Sequence, residues 1–216
     1  MYQKLTNDTI NAINNILPGG KILDLGAGTG RITIPLLQNE YEVLPVEISK
    51  GMYDVLVSKL TSNNLKCDSQ NKSIATFNFD TKADLAVCVF TVLIYITTKE
   101  EMVQTIKNIA KHLKSNGLFF FDISSITASH SGVFKNNYFT RKIVISHVAD
   151  SLYNYNEECF GVFNNEPFRY CDVFPLRQWT EGELNEILSD CGFENTNKSF
   201  PEFNGTGATY KLFRKL

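Results

Sequence analysis

Between Lys21 and Gly30 a short apolar run, KILDL, ends directly in glycines at three alternate positions, GAGTG, and the RITIPLLQN behind them has helical apolar spacing. Few arrangements accept that order. A strand that turns into a helix within a few residues must pass through backbone conformations open mainly to glycine, and must let backbone approach whatever sits above the turn. YEVLPVEIS then reads as a second buried strand and GMYDVLVSKLTSNN as a second helix. The spacing therefore predicts a βαβ unit and a parallel sheet.

The alternation continues. ADLAVCVF and GLFFFDIS are nearly unbroken apolar strands of the kind covered on both faces, and EEMVQTIKNIAKHLK between them is helical in period. One short strand is expected around Leu65 to Cys67. From about Lys135 the pattern changes: KIVISHV, LYNYNEECF and RYCDVFPLRQW are β-rich with no helix between them, which predicts an antiparallel insertion at about 135–179. WTEGELNEILSDCGFE returns to helix, with Thr180 as N-cap, Glu183 completing a capping box and Gly192 as the stop, and ATYKLFRKL closes as a final strand. The expectation is an α/β fold: a doubly wound, mostly parallel sheet, its last strand antiparallel, in one domain over 1–216 with a β-rich insertion.

Bulk properties exclude several classes. A chain of 216 residues suits one domain, and no apolar run approaches the ~20 residues of a membrane-spanning helix. The N-terminus MYQKLTNDTINAINN lacks the features of a secretory signal, so a cytoplasmic location is expected. A formal charge of −2 gives no overall reason to bind nucleic acid or an anionic membrane. The five cysteines, Cys67, Cys88, Cys159, Cys171 and Cys191, never form a CxxC pair, so they read as free thiols, and no metal site is expected.

The glycine turn also limits the ligand. A dinucleotide fingerprint needs a glycine where this chain has Arg31, so the loop is GxGxG and not GxGxxG. Asp24 stands two positions before Gly26, where it would repel a pyrophosphate yet suit a cationic group such as the α-amine of S-adenosylmethionine. The helix end behind the loop would favour the carboxylate and ribose region. Glu47, at the end of the second strand, can accept both ribose hydroxyls.

At this point ILDLGAGTGRITIPLL resembles motif I of the class I, Rossmann-like S-adenosylmethionine-dependent methyltransferases. The resemblance runs from about Lys21 to Asp122: Glu47, Ser49 and Met52 match the family's acid-x-Ser-x-x-Met pattern, and ADLAVCVFTVLIYI and HLKSNGLFFFDIS look like later motifs. It implies S-adenosyl-L-methionine as cofactor and S-adenosyl-L-homocysteine as product. The implied cofactor residues are Asp24, Gly26, Ala27, Gly28, Gly30, Arg31 and Glu47, with Ile48 and Met52 packing on the adenine. Val89 and Phe90 form a further wall or simply core. At the adenine amino group the family's acid-apolar pair aligns with Ser73-Ile74, or with Asp68 in a shifted register. Arg31 reaches the cofactor carboxylate or the acceptor, or is only solvated.

Absent motifs narrow the acceptor. There is no Asn/Asp-Pro-Pro-Tyr after the ADLAVCVF strand to hold a flipped base and no Pro-Cys nucleophile, which with the acidic pI favours a small molecule over nucleic acid. Residues Thr91 to Tyr95 and the β insertion are expected to shape its site, with Tyr95, His130, Tyr155, Tyr170, Arg177 and Trp179 as candidates. The insertion reads as a lid, a homodimer interface or merely the face of a small sheet. No catalytic residue is singled out, because in-line transfer from a sulfonium needs alignment more than a base. The function expected is N- or O-methylation of a small molecule; the alternatives are a non-catalytic S-adenosylmethionine-binding or regulatory protein and an NAD-dependent oxidoreductase.

Overall fold

The computed structural model describes residues 2–126 and 131–216. After helix α1 (Tyr2–Ile16), strand β1 (Lys21–Leu25), helix α2 (Thr33–Gln38), strand β2 (Glu42–Val46) and helix α3 (Lys50–Ser62) form the βαβ unit. Strand β3 (Ala83–Cys88), helix α4 (Lys99–His112) and strand β4 (Leu113–Ser124) follow. Strands β5 (Gly132–Lys135), β6 (Phe139–Ala149), β7 (Leu152–Phe163) and β8 (Glu166–Arg177) come next, then helix α5 (Glu181–Asp190), β9 (Phe193–Asn195) and β10 (Ala208–Lys215).

The main sheet has the order β2-β1-β3-β4-β10-β9. Its first four strands pair in parallel, while β10 runs antiparallel to both β4 and β9. Because β2 lies on one side of β1 and β3 on the other, the chain reverses direction across the sheet at β1. Ligands of open α/β sheets bind at such a switch point, outside the carboxyl ends of the strands. Here that crevice lies beyond Leu25 and Cys88.

The sheet is covered on both faces, which is why its strands are so apolar. In β4, Phe119 and Phe121 point into a core shared with α4 and α5, while Phe120 points the other way among Ile10 and Ile13 of α1 and Phe200 and Phe203. Thr180 accepts the Glu183 N–H and Glu183 accepts the Thr180 N–H, so the expected capping box forms, and Gly192 sits at φ 83° just past α5. Strands β5 to β8 make a separate antiparallel sheet in chain order.

One expectation fails. No strand forms around Leu65 to Cys67; a single parallel bridge, Val46 to Gln70, extends the sheet beyond β2 instead. The polar chain there satisfies its backbone locally, with Gln70 bonded through its side chain to both the N–H and the C=O of Asn78. The helix expected behind the glycine turn does form, over Thr33–Gln38; it lasts six residues, so any ligand contact rests on the loop itself rather than on a long helix end.

His112 joins α4 to the main core. Its Nδ1 donates to the Asn108 carbonyl at 2.8 Å and its Nε2 accepts the Phe79 N–H at 3.2 Å, an arrangement only the neutral ring can make. Burial holds its pKa below the ordinary 6.5. The unfolded chain therefore binds the proton more readily, and stability is lost as pH falls through 6.5 toward the lower folded value. Melting curves between about pH 7 and about pH 5 should show a steeper decline for the wild type than for His112→Gln; parallel declines would contradict this.

Candidate functional site

All three loop glycines adopt left-handed φ, 73° at Gly26, 55° at Gly28 and 85° at Gly30, but for different reasons. A Cβ on Gly26 would lie 2.5 Å from Val92 Cγ2, and one on Gly30 would lie 2.7 Å from Leu56 Cδ1. These two glycines let the loop pack against the rest of the protein. A Cβ on Gly28 would meet only Met52 Sδ, at 4.0 Å. Gly28 therefore borders open space beside Met52, which is half exposed, and Ile48 just past β2 is exposed at 69%. Ala27, by contrast, is buried against Leu56 and Leu60.

Two buried acids flank the loop, Asp24 before it and Glu47 on the Gly28 N–H. Glu47 is buried, and its Oε2 accepts the Gly28 N–H at 2.8 Å while Oε1 accepts the Ser49 N–H at 2.7 Å. Asp24 is buried too, with Oδ2 accepting the Thr33 hydroxyl at 2.5 Å. Burial pushes its carboxyl up to about 6, the Thr33 hydrogen bond opposes this, and the nearby Glu47 charge adds to the rise. A buried carboxylate with no cation among its described partners can accept a positive group chemically.

Other parts of the site were not legible. Asn71 donates through Nδ2 to the carbonyls of Glu47 at 2.8 Å and Ile48 at 3.0 Å, fixing the end of β2 from outside the sheet. Lys59 of α3 donates to the Thr29 carbonyl at 2.9 Å and ties down the loop. An asparagine in a polar stretch and a lysine on a helix carry no sequence signal for such roles. Ser73 turns its Oγ to the Ala75 N–H and its carbonyl to Thr76 and Phe77, and Ile74 packs against the main core. Ser73-Ile74 thus builds a turn.

Arg31 lies across the crevice: its Nε donates to Thr6 Oγ1 of α1 at 2.7 Å and its guanidinium stands 3.8 Å over the Phe90 ring. It clamps α1, the glycine loop and the turn after β3 to one another. Val89 and Phe90 pack with the core on the α1 side.

Beyond β3 the chain makes a 3-10 turn, Leu93–Tyr95, and leaves Tyr95 exposed at 55%. The Tyr95 ring lies 5.5 Å from Phe174 of β8, which stacks at 4.7 Å on Tyr155 of β7. On the same face of the small sheet, Arg141 makes a two-pronged pair with buried Glu157, Nε to Oε1 at 2.5 Å and Nη2 to Oε2 at 2.9 Å, and Tyr155 and Tyr170 each donate to Glu157 at 3.0 Å. Arg141 holds the Glu157 carboxyl below the usual range. Burial and the Glu157 hydrogen bond push the Tyr155 and Tyr170 phenols up to about 12. Burial also raises the Tyr95 phenol.

The remaining candidates fall elsewhere. Trp179 is buried in the main core and donates Nε1–H to the Ile96 carbonyl at 2.9 Å. Arg177 stacks on Trp179 at 4.0 Å and pairs with Glu183 at 2.9 Å. Both join the small sheet to α5 and do not line the open space, because a large aromatic at a helix entry gains more by burial than by facing solvent. His130 lies outside the described residues.

Residues 22–117 match the family model described as a methyltransferase domain. The chain is 28% identical over 206 residues to YqeM of Bacillus subtilis, a protein named provisionally as a methyltransferase, covering 91% of this chain and 83% of that one. It is similar in fold to a S-adenosylmethionine-dependent methyltransferase from Clostridium acetobutylicum, at TM-score 0.86 and 22% identity over 100% of this chain and 92% of the other. The amino pentose methyltransferase CalS10 from Micromonospora echinaspora, solved with S-adenosylmethionine bound, shares the fold at TM-score 0.76 and 16% identity, over 100% of this chain and 92% of that one.

Proposed function

From its membership of the class I S-adenosylmethionine-dependent methyltransferases, we propose that this chain methylates a nitrogen or oxygen of a small molecule held beside Tyr95 and the aromatic face of the β5–β8 sheet that it contacts. The observation that carries the reading is the loop at Gly28, a left-handed glycine whose added Cβ would meet only Met52 Sδ and whose N–H is held by the buried Glu47 carboxylate, with buried Asp24 before the loop and exposed Ile48 and Met52 after β2. An amine suits Asp24, a ribose diol suits Glu47, and an adenine face suits the apolar pair. The donor set fits the cofactor.

When bound, S-adenosylmethionine supplies an electrophilic methyl group on a sulfonium that departs as S-adenosylhomocysteine. The residues of the chain hold and orient. Glu47 keeps the loop closed through the Gly28 and Ser49 N–H groups, and Arg31 fixes the turn that separates cofactor from acceptor. With Glu157 engaged by Arg141 and the phenols pushed up, these groups align an acceptor rather than deprotonate it. Alignment alone can supply roughly 7–11 kcal/mol of the barrier. In this reading the β5–β8 sheet is a lid with an aromatic wall, the chain is one domain, and the enzyme works in the cytoplasm.

Calorimetric titration with S-adenosylhomocysteine should give binding at low micromolar concentration, and none at about 1 mM would refute the cofactor site. A panel of small amines, phenols and carboxylic acids, incubated with S-adenosylmethionine and read by mass spectrometry, should yield a product 14 Da heavier (one CH2). Binding without methylation of any acceptor would favour a non-catalytic role.

A further inference from the structure

The turn that leaves β3 carries two successive non-glycine residues in the left-handed region, Phe90 at φ 67° and Thr91 at φ 71°. One such residue is uncommon; two together, the second β-branched, persist only when the surroundings impose them. Asp122, near the end of β4, imposes them. It is 2% exposed, both its oxygens lie 3.2 Å from the Thr91 N–H that donates to them, and Ser124 Oγ donates to Oδ2 at 2.7 Å.

The turn has direct consequences on both sides. Phe90 is the platform under Arg31, and Val92 is the side chain that fills the space Gly26 leaves empty. Three residues on, the same segment presents Tyr95 toward Phe174. We infer that Asp122 is a positioning residue: by holding Phe90 and Thr91 left-handed it fixes the wall between the glycine loop and the acceptor side, without itself touching either ligand. A general base at this place would need a carboxylate oxygen open to the crevice. Asp122 is instead enclosed, its oxygens turned to a backbone N–H and a hydroxyl.

The inference rests on the proposed cofactor site, and the test separates the two. The variants are Asp122→Ala, Asp122→Asn and the double variant Asp122→Ala with Thr91→Gly; the readouts are hydrogen exchange at the residue 91 amide and calorimetric titration with S-adenosylhomocysteine. In Asp122→Ala the amide should exchange at least about tenfold faster, and affinity should fall about tenfold. Adding Thr91→Gly should return affinity to within about threefold of wild type, since glycine takes positive φ without help, while exchange stays fast.

Unchanged affinity in Asp122→Ala overturns the inference. So does a loss that Thr91→Gly leaves in place, because a residue that contacts ligand, or merely supports the sheet, is not rescued at position 91. If Asp122→Ala fails to fold by circular dichroism, Asp122→Asn with and without Thr91→Gly gives the same comparison. A wild-type protein that does not bind S-adenosylhomocysteine refutes the cofactor site, and amide exchange still decides whether Asp122 holds the turn.

Discussion

Replacing Gly28 by alanine should weaken S-adenosylhomocysteine binding by about a hundredfold or more, equivalent to about 2.7 kcal/mol, while the protein stays folded. The protein does not fill the space above Gly28, since an added Cβ meets only Met52 Sδ at 4.0 Å. The cost to the fold is confined to holding a non-glycine residue left-handed, roughly 1–2 kcal/mol. Gly26→Ala and Gly30→Ala should behave in the opposite way, for their Cβ atoms would strike Val92 at 2.5 Å and Leu56 at 2.7 Å. Those two variants should melt several degrees below Gly28→Ala, since the clash adds to the same left-handed cost, whatever they do to binding. Differential scanning calorimetry beside titration resolves the pattern. A Gly28→Ala protein that binds as tightly as wild type would show that no ligand approaches the loop there.

That contrast marks how far the sequence could be read. Three glycines at alternate positions announced a turn, but nothing in GAGTG tells which glycine makes room for a ligand and which for Val92 or Leu56. Glu47 was legible because strand period and spacing together place an acid at a strand end. The β-rich segment was legible because helix-period spacing stops near Lys135; its first strand, Gly132–Lys135, escaped because four residues with mixed exposure carry no pattern. Ser73-Ile74 was placed by alignment where the chain bonds to itself, through local turns that leave no hydrophobic period to read. The turn at Phe90 and Thr91 runs against residue preference altogether: phenylalanine and threonine predict extended backbone, and the carboxylate that holds the Thr91 N–H comes from Asp122, thirty-one positions away. Trp179 and Arg177 looked like an aromatic wall because aromatic and charged residues suit both a binding surface and a buried joint.

Asp24→Asn should stabilise the ligand-free protein at neutral pH and weaken its hold on S-adenosylhomocysteine. The carboxyl of Asp24 is raised from 3.8 to about 6, so the folded state binds a proton more readily than the unfolded one. Its contribution to stability is fully present below pH 3.8 and is lost as pH rises through about 6. Above that, the buried charge opposes folding by roughly 3 kcal/mol. Asparagine avoids this cost and still accepts the Thr33 hydroxyl, so the melting temperature of the variant should exceed that of wild type above about pH 7 and the difference should shrink toward about pH 5. With ligand the order reverses. The α-ammonium group of the cofactor favours the charged carboxylate, and wild-type affinity should rise with pH through about 6 and then level off. The variant should bind about ten- to a hundredfold more weakly, the loss of one charge-assisted hydrogen bond, and lack that rise. Equal affinities for the two proteins across the range would place the amine away from Asp24 and leave the buried charge without a functional reason.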